Sequence, residues 1–406
     1  MKFGPASGSG RSRNRYSERV SNRHRAWATV DLEAFRHNLR VIRRFAGQAE
    51  VWPVLKANAY GHGARAIARV CESENVALLG VGDSTEALEL RDAGINTPLL
   101  VLGTAVDSEI PALLEHDIEV GVHSEVRALQ LSAAARAAGH RLGVHLKIDT
   151  GMTRLGVLPE AALRVAQTVS SEPWLELRGV MTHFACPGGY DEVATAEQEH
   201  RFAKTLDQLR AHGLPVAKVH CSNSAALFTG KQVFGDAVRP GIALYGVMPL
   251  ALQQDFGLRP VLSLQTQVVF LKDIPAATAV GYGGKWRAPS PTRLAVMPLG
   301  YNDGIPYRLG AEGHGKVLLR GQFCPIVGAI SMDYCTVDVG HVPNVDIGDT
   351  VTLIGRDGDH SLSVQDLSAA AGTIPYEIVC SIGSRVHRVY HHDSATAADE
   401  PVEISG

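Results

Sequence analysis

The chain has 406 residues, 45% of them hydrophobic and 20% charged, with a formal net charge of -3. That composition is ordinary for a globular protein, and the near-neutral balance points to no nucleic-acid and no membrane-surface partner. No apolar run is long enough to span a bilayer, so no transmembrane helix is expected.

Residues 1–25 are rich in Gly, Ser and Arg and lack the apolar core of a secretory leader, so they read as a disordered basic tail. The six cysteines (Cys71, Cys186, Cys221, Cys324, Cys335 and Cys380) are scattered with no CxxC pair. They are expected to be reduced thiols of a cytoplasmic protein, and no metal site is expected. A strand is predicted at 27–30. A helix follows from residue 32, with Leu32, Phe35, Leu39 and Ile42 on one face. Strand-like apolar runs then recur near 51–55, 77–82, 99–103, 118–122, 143–149, 177–183, 217–222 and 237–239. Helical patterns at 64–73, 84–94, 125–139, 159–170 and 194–213 lie between them. Such alternation predicts parallel βαβ units. Eight runs suit a closed (β/α)8 barrel of the TIM type over 26–260 better than an open sheet, which would need a GxGxxG loop after its first strand. From residue 261 the pattern changes to short strands at 263–271, 293–299, 316–320, 325–330, 334–338 and 350–354, with one helix at 364–371. This predicts a C-terminal, mostly-β domain over 261–390 and a polar tail over 391–406.

In a barrel of this kind the chemistry gathers at the carboxyl ends of the strands. Lys56 ends the first run, Lys147 and Asp149 the fifth, and Arg154 follows in the next loop. His183 ends the sixth run, His220, Asn223 and Ser224 the seventh, and Arg239 the eighth, followed by Gly241 and Ile242. Taken singly, each is better explained as a satisfied core or loop residue. Arg239 has Asp236 as a plausible ion-pair partner, and Tyr282, between glycines, reads as a turn tyrosine. Their convergence on one rim is harder to explain that way. Lys56, at the mouth of an apolar strand, is a candidate Schiff-base amine, because burial favours its neutral, nucleophilic form.

The stretch Val51-Trp-Pro-Val-Leu-Lys56-Ala-Asn-Ala-Tyr60-Gly-His-Gly63 closely resembles the pyridoxal-phosphate lysine motif of bacterial alanine racemases. Further blocks match in order over about 26–390: His145-Leu-Lys147-Ile-Asp-Thr-Gly-Met-Thr-Arg154, Thr182-His183, His220-Cys-Ser-Asn223-Ser224, Val238-Arg239-Pro-Gly241-Ile242, Val280-Gly-Tyr282-Gly, Pro298-Leu-Gly-Tyr301-Asn-Asp303 and Ser331-Met332-Asp333. The resemblance implies that Lys56 carries pyridoxal 5'-phosphate. It implies that Tyr60, Ser224, Gly241, Ile242 and Tyr376 hold the phosphate, with His183 and Asn223 also at the cofactor. Arg239 would face the pyridine nitrogen, supported by His220. Lys56 and Tyr282 would be the two bases of a racemisation. A phenol ordinarily titrates near 10, so bringing Tyr282 towards neutrality takes ~4 kcal/mol, for which His183 and Arg154 are the expected source. Arg154 and the Met332 backbone N–H would bind the substrate carboxylate, with Lys147, carbamylated in some members, orienting Arg154, and with Tyr301 and Asp333 in support. Thr153 stands where glycine is usual. The β domain of one subunit would complete the barrel site of the other, giving a homodimer with shared sites, an alanine-sized substrate and D-alanine for peptidoglycan. A serine or broad-specificity racemase of the same fold is the alternative. An amino-acid decarboxylase is disfavoured by Arg239. A single-barrel cofactor-homeostasis protein is disfavoured by residues 261–390.

Overall fold

The computed structural model describes residues 24–185, 192–229, 234–248, 252 and 254–391. Cys186, nearly all of the basic tail and the polar tail past His391 lie outside them. The chain divides into two compact units.

The larger unit comprises Thr29–Leu262, Ser363–Ile382 and residues from Tyr390. It is built on eight strands: β2 (Glu50–Val51), β3 (Leu79–Val81), β4 (Leu99–Val101), β5 (Ile118–Val122), β6 (Leu142–Lys147), β7 (Leu175–Met181), β8 (Val219–His220) and β9 (Ala237–Val238). Their order is β2-β9-β8-β7-β6-β5-β4-β3, each pair parallel. A parallel bridge from Val54 to Gly80 joins the two ends of the sheet beyond β2, so it closes into a barrel as the eight runs predicted. β5 and β6 are buried along their whole length, as expected of strands covered on both faces.

The helices between them begin and end where their capping chemistry dictates. In Leu32–Ala46 the Asp31 carboxylate accepts from Ala34 N at 2.8 Å, and Leu32, Phe35, Leu39 and Ile42 are buried as one face. Ser84–Asp92 is capped by Asp83, and Glu125–Ala138 by Ser124 before it stops at Gly139 in the left-handed region. A helix absent from the sequence reading, Ile110–Glu115, opens on Pro111 between β4 and β5. It is too short for a periodic signal.

The smaller unit contains residues up to Ala28, Ser263–Leu362 and Gly383–Val389. The strand predicted at 27–30 is β1 (Ala26–Asp31), and it joins no barrel sheet. It lies in a seven-stranded sheet with β10 (Leu262–Gln267) and later strands. The run predicted at 263–271 is two strands, β10 and β11 (Phe270–Ile274), in different sheets. The compact units do not follow a single cut near residue 261. Val364–Ala371 and Pro375–Cys380 fold with the barrel, and this brings Tyr376 to within 6.3 Å of Tyr60, ring to ring.

Candidate active site

Lys56 opens the segment after β2 and is followed by four residues in the left-handed region: Ala57, Asn58, Ala59 and Tyr60, with φ of 54°, 52°, 53° and 53°. Each costs an L-residue roughly 1–2 kcal/mol, so the turn persists only because its surroundings fix it. Glu86 caps it, accepting from Ala57 N and, at 2.8 Å, from Gly82 N. The Asn58 side chain accepts from Ala64 N at 2.7 Å. The reversed turn swings Tyr60 inward while Lys56 stays accessible at the rim. The surrounding protein and the Arg154 guanidinium both disfavour the Lys56 ammonium and lower its pKa.

The rim around Lys56 is strongly cationic. Lys147 donates to Leu102 O at 2.8 Å. Burial, then Arg239, Arg154 and Lys56, pull its pKa down to about 8. His183 is pushed down to about 3, first by burial and then by Arg239, Lys147, Arg154 and Lys56, so it is neutral at physiological pH. Arg239 is buried, and burial lowers its pKa to about 10, leaving it charged. Its bonds run to His220 Nδ1 (2.8 Å), Thr182 O (2.7 Å) and Cys221 O (3.1 Å). Asp236, the ion-pair partner considered from sequence, instead accepts from Val219 N at 2.7 Å.

A cluster of backbone N–H groups and hydroxyls lies beside this. Asn223 caps the short helix Ser224–Leu227 with its carbonyl oxygen, so that oxygen serves the fold. Ser224 Oγ accepts from Gly241 N at 3.0 Å and Ala243 N at 3.3 Å. A Cβ on Gly241 would sit 2.2 Å from the Tyr60 hydroxyl, which explains the glycine. Ile242 is buried behind it. Burial raises the Tyr60 phenol well above its ordinary range and the Tyr376 phenol up to about 12, so both remain O–H donors.

Arg154 lies in the loop after β6. Asp149 ties that loop by accepting from Gly151 N (3.0 Å) and Thr153 N (2.9 Å). Thr153 has φ of 53°, a conformation that favours glycine and strains a β-branched residue.

Tyr282, Tyr301, Met332 and Asp333 belong to the smaller unit. Tyr282 is 76% exposed on a short turn after Gly281. Tyr301 N donates to Ser331 O (3.1 Å) and Asn302 N to Met332 O (3.2 Å), which laces these two loops together. Arg385 clamps them, reaching Asp303 with two bonds of 2.9 Å and Asp333 with one of 2.7 Å.

Residues 30–249 match the family model "Alanine racemase, N-terminal domain", and residues 261–390 match "Alanine racemase, C-terminal domain". The chain belongs to the alanine racemase family. An alanine racemase from Methanococcus maripaludis is 38% identical over 373 residues, covering 91% of this chain and 99% of that protein. The solved alanine racemase of Streptomyces lavendulae is 36% identical with a TM-score of 0.85, over 91% of this chain and 97% of its own. That of Bartonella henselae, described with covalently bound pyridoxal phosphate, is 29% identical with a TM-score of 0.81, over 90% and 99%. As a member of this family of isomerases, the chain is an enzyme. Among the described residues no helix is long and apolar enough to cross a membrane.

Glu86, Glu119 and Arg178 escaped the sequence reading, and His145 entered it only as the first residue of a matching block, with no role. Glu86 holds the left-handed turn, while Glu119, His145 and Arg178 line up behind Arg239. One signal was available for Glu119: a single carboxylate inside the apolar run Ile118–Val122 must find a partner if that run is buried.

Proposed function

We propose that this chain racemises alanine with pyridoxal 5'-phosphate held on Lys56, and that Lys56 and Tyr282 are its two bases. The observation that carries the reading is the charge of the barrel rim. The Arg154 and Arg239 guanidiniums, beside the Lys56 and Lys147 amines, form a group that calls for anionic ligands. The cofactor brings a phosphate and the amino acid a carboxylate.

The donor set fits that cofactor. Tyr60 and Tyr376 are protonated phenols able to donate to phosphate oxygens, and Ser224, Gly241 and Ile242 lie at the same end of the barrel, where barrels of this class hold phosphates. Gly241 keeps open the space that a side chain would fill. Arg239 has donors only and suits an unprotonated ring nitrogen, which tempers the electron demand of the ring and disfavours transamination. Bound there, the cofactor supplies the electron-withdrawing ring that acidifies the Cα–H. Lys56, its ammonium disfavoured, moves a proton at Nζ on one face, and Tyr282 moves one at its phenolic oxygen on the other. Arg154 and the Met332 N–H orient the substrate carboxylate. His183 is neutral, so it can aid Tyr282 as a hydrogen-bond partner, leaving Arg154 as the cation. Lys147, with its lowered pKa, has neutral amine available for carbamylation, and the resulting anion would orient Arg154. Because Lys56 and Tyr282 belong to different compact units, we place them in a cytoplasmic homodimer whose protomers share two sites, with D-alanine destined for peptidoglycan. Asn223, His220, Tyr301 and Asp333 support the site.

Borohydride reduction of the purified protein should fix the cofactor mass on the peptide containing Lys56; label on another lysine would overturn the assignment. Circular-dichroism assays of L-alanine and L-serine side by side should favour alanine. Faster turnover of serine would redirect the reading to a serine racemase.

A further inference from the structure

Five side chains run in an unbroken line, and the reaction above uses only Arg239 and, in support, His220. Arg239 Nη1 donates to His220 Nδ1 at 2.8 Å, and His220 Nε2 lies 2.8 Å from His145 Nδ1. His145 Nε2 lies 2.6 Å from Glu119 Oε2, and Arg178 Nη1 donates to Glu119 Oε1 at 2.6 Å. The end group fixes the protons. A guanidinium has no acceptor, so His220 Nδ1 must present a lone pair and Nε2 must carry the proton. That proton points at His145 Nδ1, whose own Nε2–H then points at the carboxylate. Both imidazoles are neutral, and each bond from Arg239 onward donates towards Glu119. Reversing either ring would set two N–H groups against each other.

The line is a built feature. His220 is 0% exposed, His145 1%, Arg239 5% and Glu119 6%, so the polar atoms of these four need their partners. The indole of Trp52 packs on both imidazoles, 4.7 Å from His220 and 6.1 Å from His145. In register with His145, the neighbouring strands carry Gly121 and Gly179. A Cβ on Gly179 would stand 2.4 Å from His145 Nδ1, and one on Gly143 would press the Arg178 side chain at 2.9 Å. Burial works to raise the Glu119 pKa, but the bonds from His145 and Arg178 outweigh it and hold the group anionic. The other bonds of Arg239 end on neutral carbonyls.

We propose that Glu119 is a positioning residue for racemisation: through His145 and His220 it fixes the proton order and supplies the remote countercharge that hold the Arg239 guanidinium in one donor geometry. The catalytic consequence rests on the reading that Arg239 faces the cofactor ring; the proton order does not.

The test uses the full-length protein as purified, labelled with 15N-histidine. Both rings should resonate as neutral Nε2–H tautomers. An Nδ1–H tautomer or a doubly protonated ring at either position overturns the proposal. Glu119→Gln keeps the shape and an acceptor oxygen but removes the charge. It should move the His220 Nε2–H proton upfield, shift the cofactor absorbance band and lower kcat about tenfold with KM within about twofold, the scale of outer-layer hydrogen-bond partners. Glu176→Gln, which removes the other, exposed partner of Arg178, should leave all four readouts unchanged. A folded Glu119→Gln protein with wild-type resonances, band and kcat overturns the proposal. Gly179→Ala, which displaces His145 while leaving Glu119, should produce the same band shift, and no shift there counts equally against it. Absence of a cofactor band from the wild-type protein would sink the function proposed above, and the proton order would then be judged from the imidazole resonances alone.

Discussion

At the barrel rim single residues are held out of charge balance, and Lys147 carries the clearest consequence. Its ammonium is buried against Leu102 O, with Arg239, Arg154 and Lys56 all acting on it, and its pKa falls to about 8 from 10.5. Between those two values the unfolded chain holds the proton more firmly than the folded one, so this group makes stability rise with pH across that window. Below about pH 8 the folded protein carries the full penalty, on the order of 3 kcal/mol. Lys147→Met keeps most of the aliphatic stem and removes the charge. It should therefore stabilise the protein at pH 7 without bicarbonate, by a margin that fades towards pH 10.5. Urea unfolding of both proteins across that range checks this. A margin independent of pH would mean that the charge of Lys147 is not what is penalised.

Elements were read from sequence where a period or a cap carried the signal. Helices Ala64–Ser73 and Val364–Ala371 fall on their predicted bounds, and each of the eight barrel runs overlaps a strand. Three features lacked such a signal. The left-handed turn after Lys56 is held by Glu86, 30 positions from Lys56, and no local propensity favours it. The return of Pro375–Cys380 to the barrel is a long-range packing choice that strand counting does not sense. The line from Arg239 to Arg178 joins five separate strand regions, and no period or cap links their polar residues. The rim cations were visible because they end strands; the groups behind them were not, because they lie within strands. In the smaller unit the laced loops at Tyr301 and Met332 have one shared brace, Arg385, which holds Asp303 bidentately and Asp333 singly. Arg385→Lys keeps the charge but loses the fork. Amides of Tyr301, Asn302 and Ser331 should then exchange faster with deuterated solvent while those of strand Thr350–Asp357 keep their protection. Equal exchange at both places would show that the loops hold without the clamp.

At the scale of the whole molecule, the two proposed bases belong to different compact units. Lys56 stands on the barrel unit with its cationic rim, and Tyr282 stands 76% exposed on the other. A large aromatic side chain that open, on a turn flanked by glycines, contributes little to its own unit. Its conservative loss should therefore leave the fold intact, which makes it usable in a subunit-mixing test. Lys56→Ala removes one base and Tyr282→Phe only the phenolic oxygen of the other. Each homodimer should be inactive in both directions, because racemisation needs both bases. If the sites are shared between protomers, a mixed dimer pairs the barrel of the Tyr282→Phe chain with the β unit of the Lys56→Ala chain, and one of its two sites is whole. Mixing the two inactive proteins under conditions that exchange subunits should restore activity towards a quarter of wild type: about half of the dimers are mixed, and each has one working site of two. Mass spectrometry with one chain isotopically labelled measures the exchange. Full exchange with no recovered activity would place both bases in one chain and overturn the shared-site dimer.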